Sequence, residues 1–146
     1  MFEINHFVEI KGSLEEVYAA LSTIDGLKRW WTAETSGRAE PGGVVRFDFG
    51  PGSFNEMQVT ELATNARVRW VCVGHPDEWL GTEFTFALTE APGLVRVRFT
   101  QAKWQAATDF HAYCSTKWAT FLLSLKEAVE TGVGRPYPHD LQISHG

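Results

Sequence analysis

Clustered basic charge, long apolar runs and paired cysteines are all missing from this 146-residue sequence. Its 13 Lys and Arg stand against 18 Asp and Glu, a net charge of −5. The cations are scattered as Lys28-Arg29, Arg67 with Arg69, and Arg96 with Arg98. That argues against a nucleic-acid surface, which needs Lys and Arg gathered on one face. No stretch approaches the roughly 18 apolar residues of a membrane span, so no membrane span is expected. The opening Met1-Phe2-Glu3-Ile4-Asn5-His6 has no basic segment followed by an apolar run, which excludes a secretory signal at this end. Two cysteines, Cys72 and Cys114, in a chain without an export signal read as free thiols, and the expected address is cytoplasmic. The five histidines, His6, His75, His111, His139 and His145, form no HExxH, and there is no CxxC. Asp109 and His111, two apart on a helix, point apart. Neither a metal site nor a cofactor is therefore expected.

Aromatic residues are what the chain has in excess: six Trp and ten Phe. Each buried ring removes roughly 150–250 Å² from water, so they suffice to hold a sheet and a long helix together without disulfides. The first strand runs from Phe2 to Lys11 and breaks at Gly12. Ser13-Leu14-Glu15-Glu16 has the spacing of a capping box, and Leu14, Val17, Tyr18 and Leu21 share one face of the helix it opens. A second short helical segment spans Asp25 to Trp30, and a polar, Gly-containing loop continues to Gly43.

Five period-2 segments follow, centred on Val45/Phe47, Met57/Val59, Val68/Trp70/Cys72, Leu80 to Leu88, and Val95/Val97/Phe99. They are separated by Gly50-Pro51-Gly52, Thr64-Asn65, His75-Pro76-Asp77 and Ala91-Pro92-Gly93, turn chemistry spaced for a meander. Such alternation gives one wet face and one covered face. The long helix from Thr108 to Glu130 is the element that covers it, with Phe110, Cys114, Trp118, Phe121, Leu122, Leu125 and Val129 at helical spacing. Gly132 and Gly134 end this helix and Pro136 and Pro138 prevent its return. The expected organisation is one α+β domain over 1–134 and a short polar tail over 135–146.

This order of elements resembles the helix-grip superfamily, which includes lipid-transfer START domains, the birch-pollen allergen fold and polyketide cyclases. Within it, Glu15 to Leu21, Gly26 to Trp31, Glu78-Trp79-Leu80-Gly81-Thr82, and Cys114 to Trp118 through Ser124-Leu125-Lys126 are similar to one branch. That branch is the C-terminal domain of the activator of the ninety-kilodalton heat-shock protein ATPase, and the likeness covers roughly residues 4 to 138. It implies a helix-grip fold: a curved six-stranded antiparallel sheet wrapped around the C-terminal helix, with two short helices between strands one and two. It also implies a cavity between sheet and helix.

The candidate site is a lining of rings and soft side chains: Phe47, Met57, Trp70, Cys72, Phe84, Phe86, Phe99, Cys114 and Trp118 by parity, with Trp30, Trp31 and Trp104 as a rim and His111 at the helix entrance. Core packing explains many of the same positions. His111 and Cys114, three apart, have the spacing of an activated thiol, yet both cysteines stand in apolar stripes, where Cys serves as a small hydrophobe. Glu56, Asp77, Glu78 and Glu83 fall at turns or on the wet parity, and the inner face offers little polarity beyond Thr82, so no catalytic residue is assigned. The expected function is binding or carriage of a small apolar or aromatic ligand, a lipid or a metabolite. The rivals are a protein-interaction module, chaperone-linked, and a cyclase- or hydrolase-type enzyme.

Overall fold

The computed structural model describes Met1–Ser144; His145 and Gly146, the end of the expected tail, lie outside the described residues. The chain begins with β1 (Phe2–Ile10), α1 (Leu14–Ser22) and α2 (Ile24–Lys28). A run of strands follows: β2 (Glu34–Gly37), β3 (Val44–Asp48), β4 (Phe54–Ala63), β5 (Arg67–Gly74), β6 (Glu83–Ala91) and β7 (Leu94–Trp104). It closes with α3 (Asp109–Thr131).

The described sheet has seven strands in the order β1-β7-β6-β5-β4-β3-β2, each pairing antiparallel with its neighbours. The six-stranded expectation is thus corrected by β2, inside the segment read as loop. This strand, Glu-Thr-Ser-Gly, carries no apolar residue, so it gives no hydrophobic alternation. It exists because β3 presents unpaired backbone groups, and Thr35 opposite Phe47 is the one side chain it buries. Strand β6 also starts later than Leu80. A 3₁₀ turn at Asp77–Trp79 and Gly81, at φ +81°, break the extension, and Leu80 is left half exposed while Trp79 turns inward.

Local signals set the helices. The Ser13 Oγ accepts from the Glu16 N–H at 3.1 Å and the Glu16 carboxylate accepts from the Ser13 N–H at 3.2 Å, closing the capping box. Thr108 caps α3 and Gly132, at φ +87°, ends it. Between these ends Cys114, Trp118, Phe121, Leu125 and Ala128 form the buried stripe that lies against the sheet. Trp118 is 2 % exposed and Trp70, across the core on β5, also 2 %. The two do not meet directly: Trp31 sits between them, its ring 4.8 Å from that of Trp118 and parallel to that of Trp70 at 5.8 Å.

The tail is docked where it can be described. Tyr137 bridges to Thr32, its N–H donating to the Trp31 carbonyl (2.8 Å) and its carbonyl accepting from the Ala33 N–H (3.1 Å). The buried Ser124 hydroxyl donates to the Trp30 carbonyl (2.8 Å) and accepts from the Arg135 N–H (2.7 Å). Lys117 of α3 pairs with Asp140, whose side chain is 4 % exposed.

Candidate functional site

A cleft of about 380 Å³ opens between the outer half of the sheet, the first turns of α3 and the tail. Its deep wall is aromatic: Trp31 after α2, Trp79 in the 3₁₀ turn, and Trp118 and Phe121 one turn apart on α3. Phe49 and Phe110 extend that surface outward, Phe49 packing on Phe121 at 6.3 Å and on Tyr137 at 5.4 Å. The polar lining comes from Ser53, Asn55 and His75 on the sheet side, Tyr113 and Lys117 on α3, and Asp140 and Gln142 on the tail. The Asn55 amide, with its nitrogen facing the β5 turn, donates to the His75 carbonyl at 3.2 Å and so ties β4 to that turn.

Behind the wall runs a buried polar relay. The Trp118 indole N–H donates to Gln101 Oε1 (3.2 Å), Gln101 Nε2 donates to the Thr82 hydroxyl (3.0 Å), and that hydroxyl donates to the Trp79 carbonyl (2.7 Å). All four residues are buried, so the relay fixes two cleft rings, Trp118 and Trp79, in one relative placement. The Trp79 indole N–H is turned toward the Cys114 thiol, and among the described residues neither it nor Asp140 Oδ1 has a hydrogen bond of normal geometry.

Of the thirteen candidate lining residues, Trp31, Cys114 and Trp118 line this cleft. Phe47, Met57, Trp70, Cys72, Phe84, Phe86 and Phe99 lie in the closed core behind them, each at most 2 % exposed. Parity identifies the inner face correctly but does not distinguish core from cleft wall. Two expected rim residues are interior. Trp30 packs edge-on to Phe86 and donates to the Ala20 carbonyl (2.8 Å), which fastens α1 to the core. Trp104 lies edge-on to His111 at 4.8 Å, so His111 is engaged with that ring, and no hydrogen bond joins it to Cys114 among the described residues.

The cleft residues that the sequence reading did not assign are Phe49, Ser53, Asn55, His75, Trp79, Phe110, Tyr113, Lys117, Phe121, Tyr137, Asp140 and Gln142, with Pro76 beside them. Two carried a signal: Trp79 is a large aromatic in a turn, and Tyr137 is held between two prolines.

Both thiols are free. Burial pushes the Cys72 thiol up to about 11, with the Gly74 carbonyl as its hydrogen-bond acceptor. Burial pushes Cys114 up to about 12, and the neighbouring Trp79 indole offsets only part of that rise. Neither is a thiolate near neutral pH, which removes the chemical basis of an activated nucleophile. No group of His, Cys, Asp and Glu suited to hold a metal ion exists among the described residues. No helix among them is long and apolar enough to cross a membrane.

The family described as Activator of Hsp90 ATPase homolog 1-like protein matches residues 11–130. The chain belongs to that family. The solution structure of the Aha1 dimer from Colwellia psychrerythraea is 46% identical, covers 92% of this chain and 100% of its own, and superposes with a TM-score of 0.84. DynU16, from the dynemicin biosynthetic locus, is 20% identical over 90% of this chain and 48% of its own, with a TM-score of 0.75. CalU16 from Micromonospora echinospora is 18% identical over 86% of this chain and 72% of its own, with a TM-score of 0.68. At that identity the last two show a shared fold. No curated protein gives a significant match.

Proposed function

We propose that this member of the family binds a small, flat, largely apolar ligand in the cleft between the sheet and α3. The observation that carries the reading is the cleft itself: about 380 Å³, with a deep wall of Trp31, Trp79, Trp118 and Phe121 and a polar border from the sheet, α3 and the tail. That volume lies at the lower end of small-molecule sites, about 300–1,000 Å³, and suits a two-ring compound. Burying roughly 300 Å² of such a ligand yields about 7 kcal/mol at 25 cal/mol/Å². Loss of translational and rotational freedom costs about 4 kcal/mol or more. The remainder corresponds to millimolar binding, and one or two well-placed hydrogen bonds bring it to tens or hundreds of micromolar.

Methoxynaphthalene is a suitable neutral probe. In a ¹⁵N-edited titration the indole N–H signals of Trp31, Trp79 and Trp118 are expected to shift together, while that of Trp30, bonded to Ala20 away from the cleft, stays in place. No indole shift up to the solubility limit of the probe, or shifts confined to Trp30 and Trp104, refutes the cleft as a binding site.

A second reading, self-association, is favoured by a separate observation. Strand β1 is an edge strand with Phe2 and Phe7 about half exposed, and the Colwellia psychrerythraea relative is described as a dimer. Sedimentation velocity of the native chain and of Phe7→Glu tests it: a dimer that the substitution converts to monomer supports the reading, and a monomer at all concentrations removes it.

A further inference from the structure

The free edge of β1 is closed at both ends and open in the middle. The Glu9 carbonyl accepts from the Lys126 ammonium, and the Lys11 N–H donates to the Glu130 carboxylate at 2.8 Å. Both backbone groups therefore face away from β7, toward the unpaired edge. Alternate residues of a strand turn their N–H and C=O the same way, so Asn5 and Phe7 present theirs to that edge as well. At one end Glu130 holds the Lys11 N–H. At the other the ladder with β7 slips between Phe2 and Ile4, where Lys103 of β7 stands at φ +69°. Such a bulge bends an edge away from straight pairing. The straight segment left between these stops is Ile4 to Ile10, and its midpoint is Phe7, 54 % exposed on the outer face.

That segment is complementary to itself about its midpoint. In an antiparallel pairing with a two-fold axis at Phe7, the two Phe7 rings lie opposite each other. Asn5 comes opposite the partner's Glu9, whose Oε2 alone is engaged by Arg96, and Glu3 comes opposite the partner's Lys11. On the inner face the half-buried His6 meets the partner's Val8. The Glu9 carbonyl keeps Lys126 on one lone pair and has a second for the N–H of the partner's Asn5. Neighbouring registers are poorer. An axis at His6 sets Glu3 against the partner's Glu9, like charges face to face. An axis at Val8 sets Phe7 against the partner's Glu9 and needs the Lys11 N–H that Glu130 already holds.

Resting on the self-association reading above, we propose that the partner is a second copy of this chain added antiparallel to β1, with the two-fold axis through Phe7. The two seven-stranded sheets then run on as one. One short strand and one pair of rings is a contact below the ~1,200 Å² of standard interfaces, so the dimer is a transient one.

Cysteine substitution along β1 reads the register directly. Paired residues of this ladder stand about 5.5 Å apart at Cα, within reach of a disulfide. Under mild oxidation of the full chain, Phe7→Cys alone should give a disulfide dimer, while the buried Cys72 and Cys114 stay out of reaction. Asn5→Cys and Glu9→Cys should each fail alone, being about 14 Å from their own copies, yet a mixture of the two should cross-link. Hydrogen exchange gives a signature in the native chain. At a concentration about ten times the dissociation constant, the amides of Asn5, Phe7 and Glu9 should slow about tenfold, while those of His6 and Val8, already turned to β7, should not change. Sedimentation velocity of the native chain separates the two failures. A dimer in which neither cross-link forms, or whose newly protected amides lie outside Asn5 to Glu9, overturns the β1 pairing and leaves self-association standing. A native chain that stays monomeric at all concentrations and gives no cross-link removes both.

Discussion

Replacing Trp118 with alanine strips the centre out of the aromatic cluster. The indole is 2 % exposed and lies within 4.3 Å of the Phe99 ring centre, 4.8 Å of Trp31 and 5.8 Å of Phe84. Loss of the ring costs about 3–5 kcal/mol in transfer and cavity energy. A second loss follows, because Gln101 Oε1 is deprived of the one donor it has among the described residues, about 1–3 kcal/mol if no water reaches it. The site borders the cleft, so water can enter and relieve part of that second loss. The expected destabilisation is therefore about 4–5 kcal/mol, a large share of the 5–15 kcal/mol typical of a domain. With a urea m-value of about 2 kcal/mol/M, the midpoint moves down by roughly 2 M. Far-ultraviolet circular dichroism is the appropriate signal, since the substitution alters fluorescence directly. Trp118→Phe separates the two contributions: it retains a ring and loses the N–H, and should cost about 2 kcal/mol. Adding Gln101→Leu to Trp118→Phe should restore at least half of that, because both polar partners are then gone. A loss below 1 kcal/mol for Trp118→Ala, or a double variant no more stable than Trp118→Phe, would refute the packing and the relay respectively.

Four further outcomes are expected. Because burial raises the folded pKa of Cys72 to about 11 and of Cys114 to about 12, the unfolded chain loses these protons first as pH climbs past 9. Stability should then fall by about 1.4 kcal/mol per pH unit for each thiol between pH 9 and those values, and Cys72→Ala with Cys114→Ala should flatten that slope in alkaline urea melts. The same burial makes both thiols slow toward an aromatic disulfide reagent in the native state and fast in denaturant. Gly26→Ala would set a methyl carbon 2.2 Å from the Ala19 carbonyl oxygen and 2.7 Å from Ala20 Cα. Since both neighbours are backbone, α1 and α2 must separate, at roughly 2–3 kcal/mol; a thermal midpoint unchanged within 2 °C would contradict this. Ser13→Ala should cost about 1 kcal/mol through loss of the cap on the Glu16 N–H, measured in the same melts.

Most of the fold was legible because its signals are periodic and local. The turn sequences Gly50-Pro51-Gly52, Thr64-Asn65 and Ala91-Pro92-Gly93 separate strands that pair in simple succession, and the stripe on α3 has one face to bury. Strand β2 was not legible, because Thr35 is its one inward side chain and its reason for existing lies in the free edge of β3. The cleft was harder still. Phe84 and Trp118 carry identical apolar signals, yet one is core and the other wall, and only the placement of α3 and the tail tells them apart. Gln101 continues the inward parity of Val97 and Phe99, but its meaning depends on Trp118 arriving opposite it from another element. Lys117 and Asp140 are 23 positions apart with nothing in their spacing to join them.

The pairing of β1 with β7 has a consequence for how the protein is made. Glu9 of the first strand meets Arg96, 87 positions later. At about 5–20 residues per second, a ribosome needs roughly 5–20 s to deliver that partner. For that interval β2 to β6 can assemble hairpin by hairpin, each from neighbours already emerged, while β1 waits with both edges unpaired and Phe2 and Phe7 uncovered. The N-terminal strand is therefore the segment on which a nascent-chain chaperone would find its longest-lived foothold, and the segment whose substitutions would alter yield in the cell before they alter the finished fold.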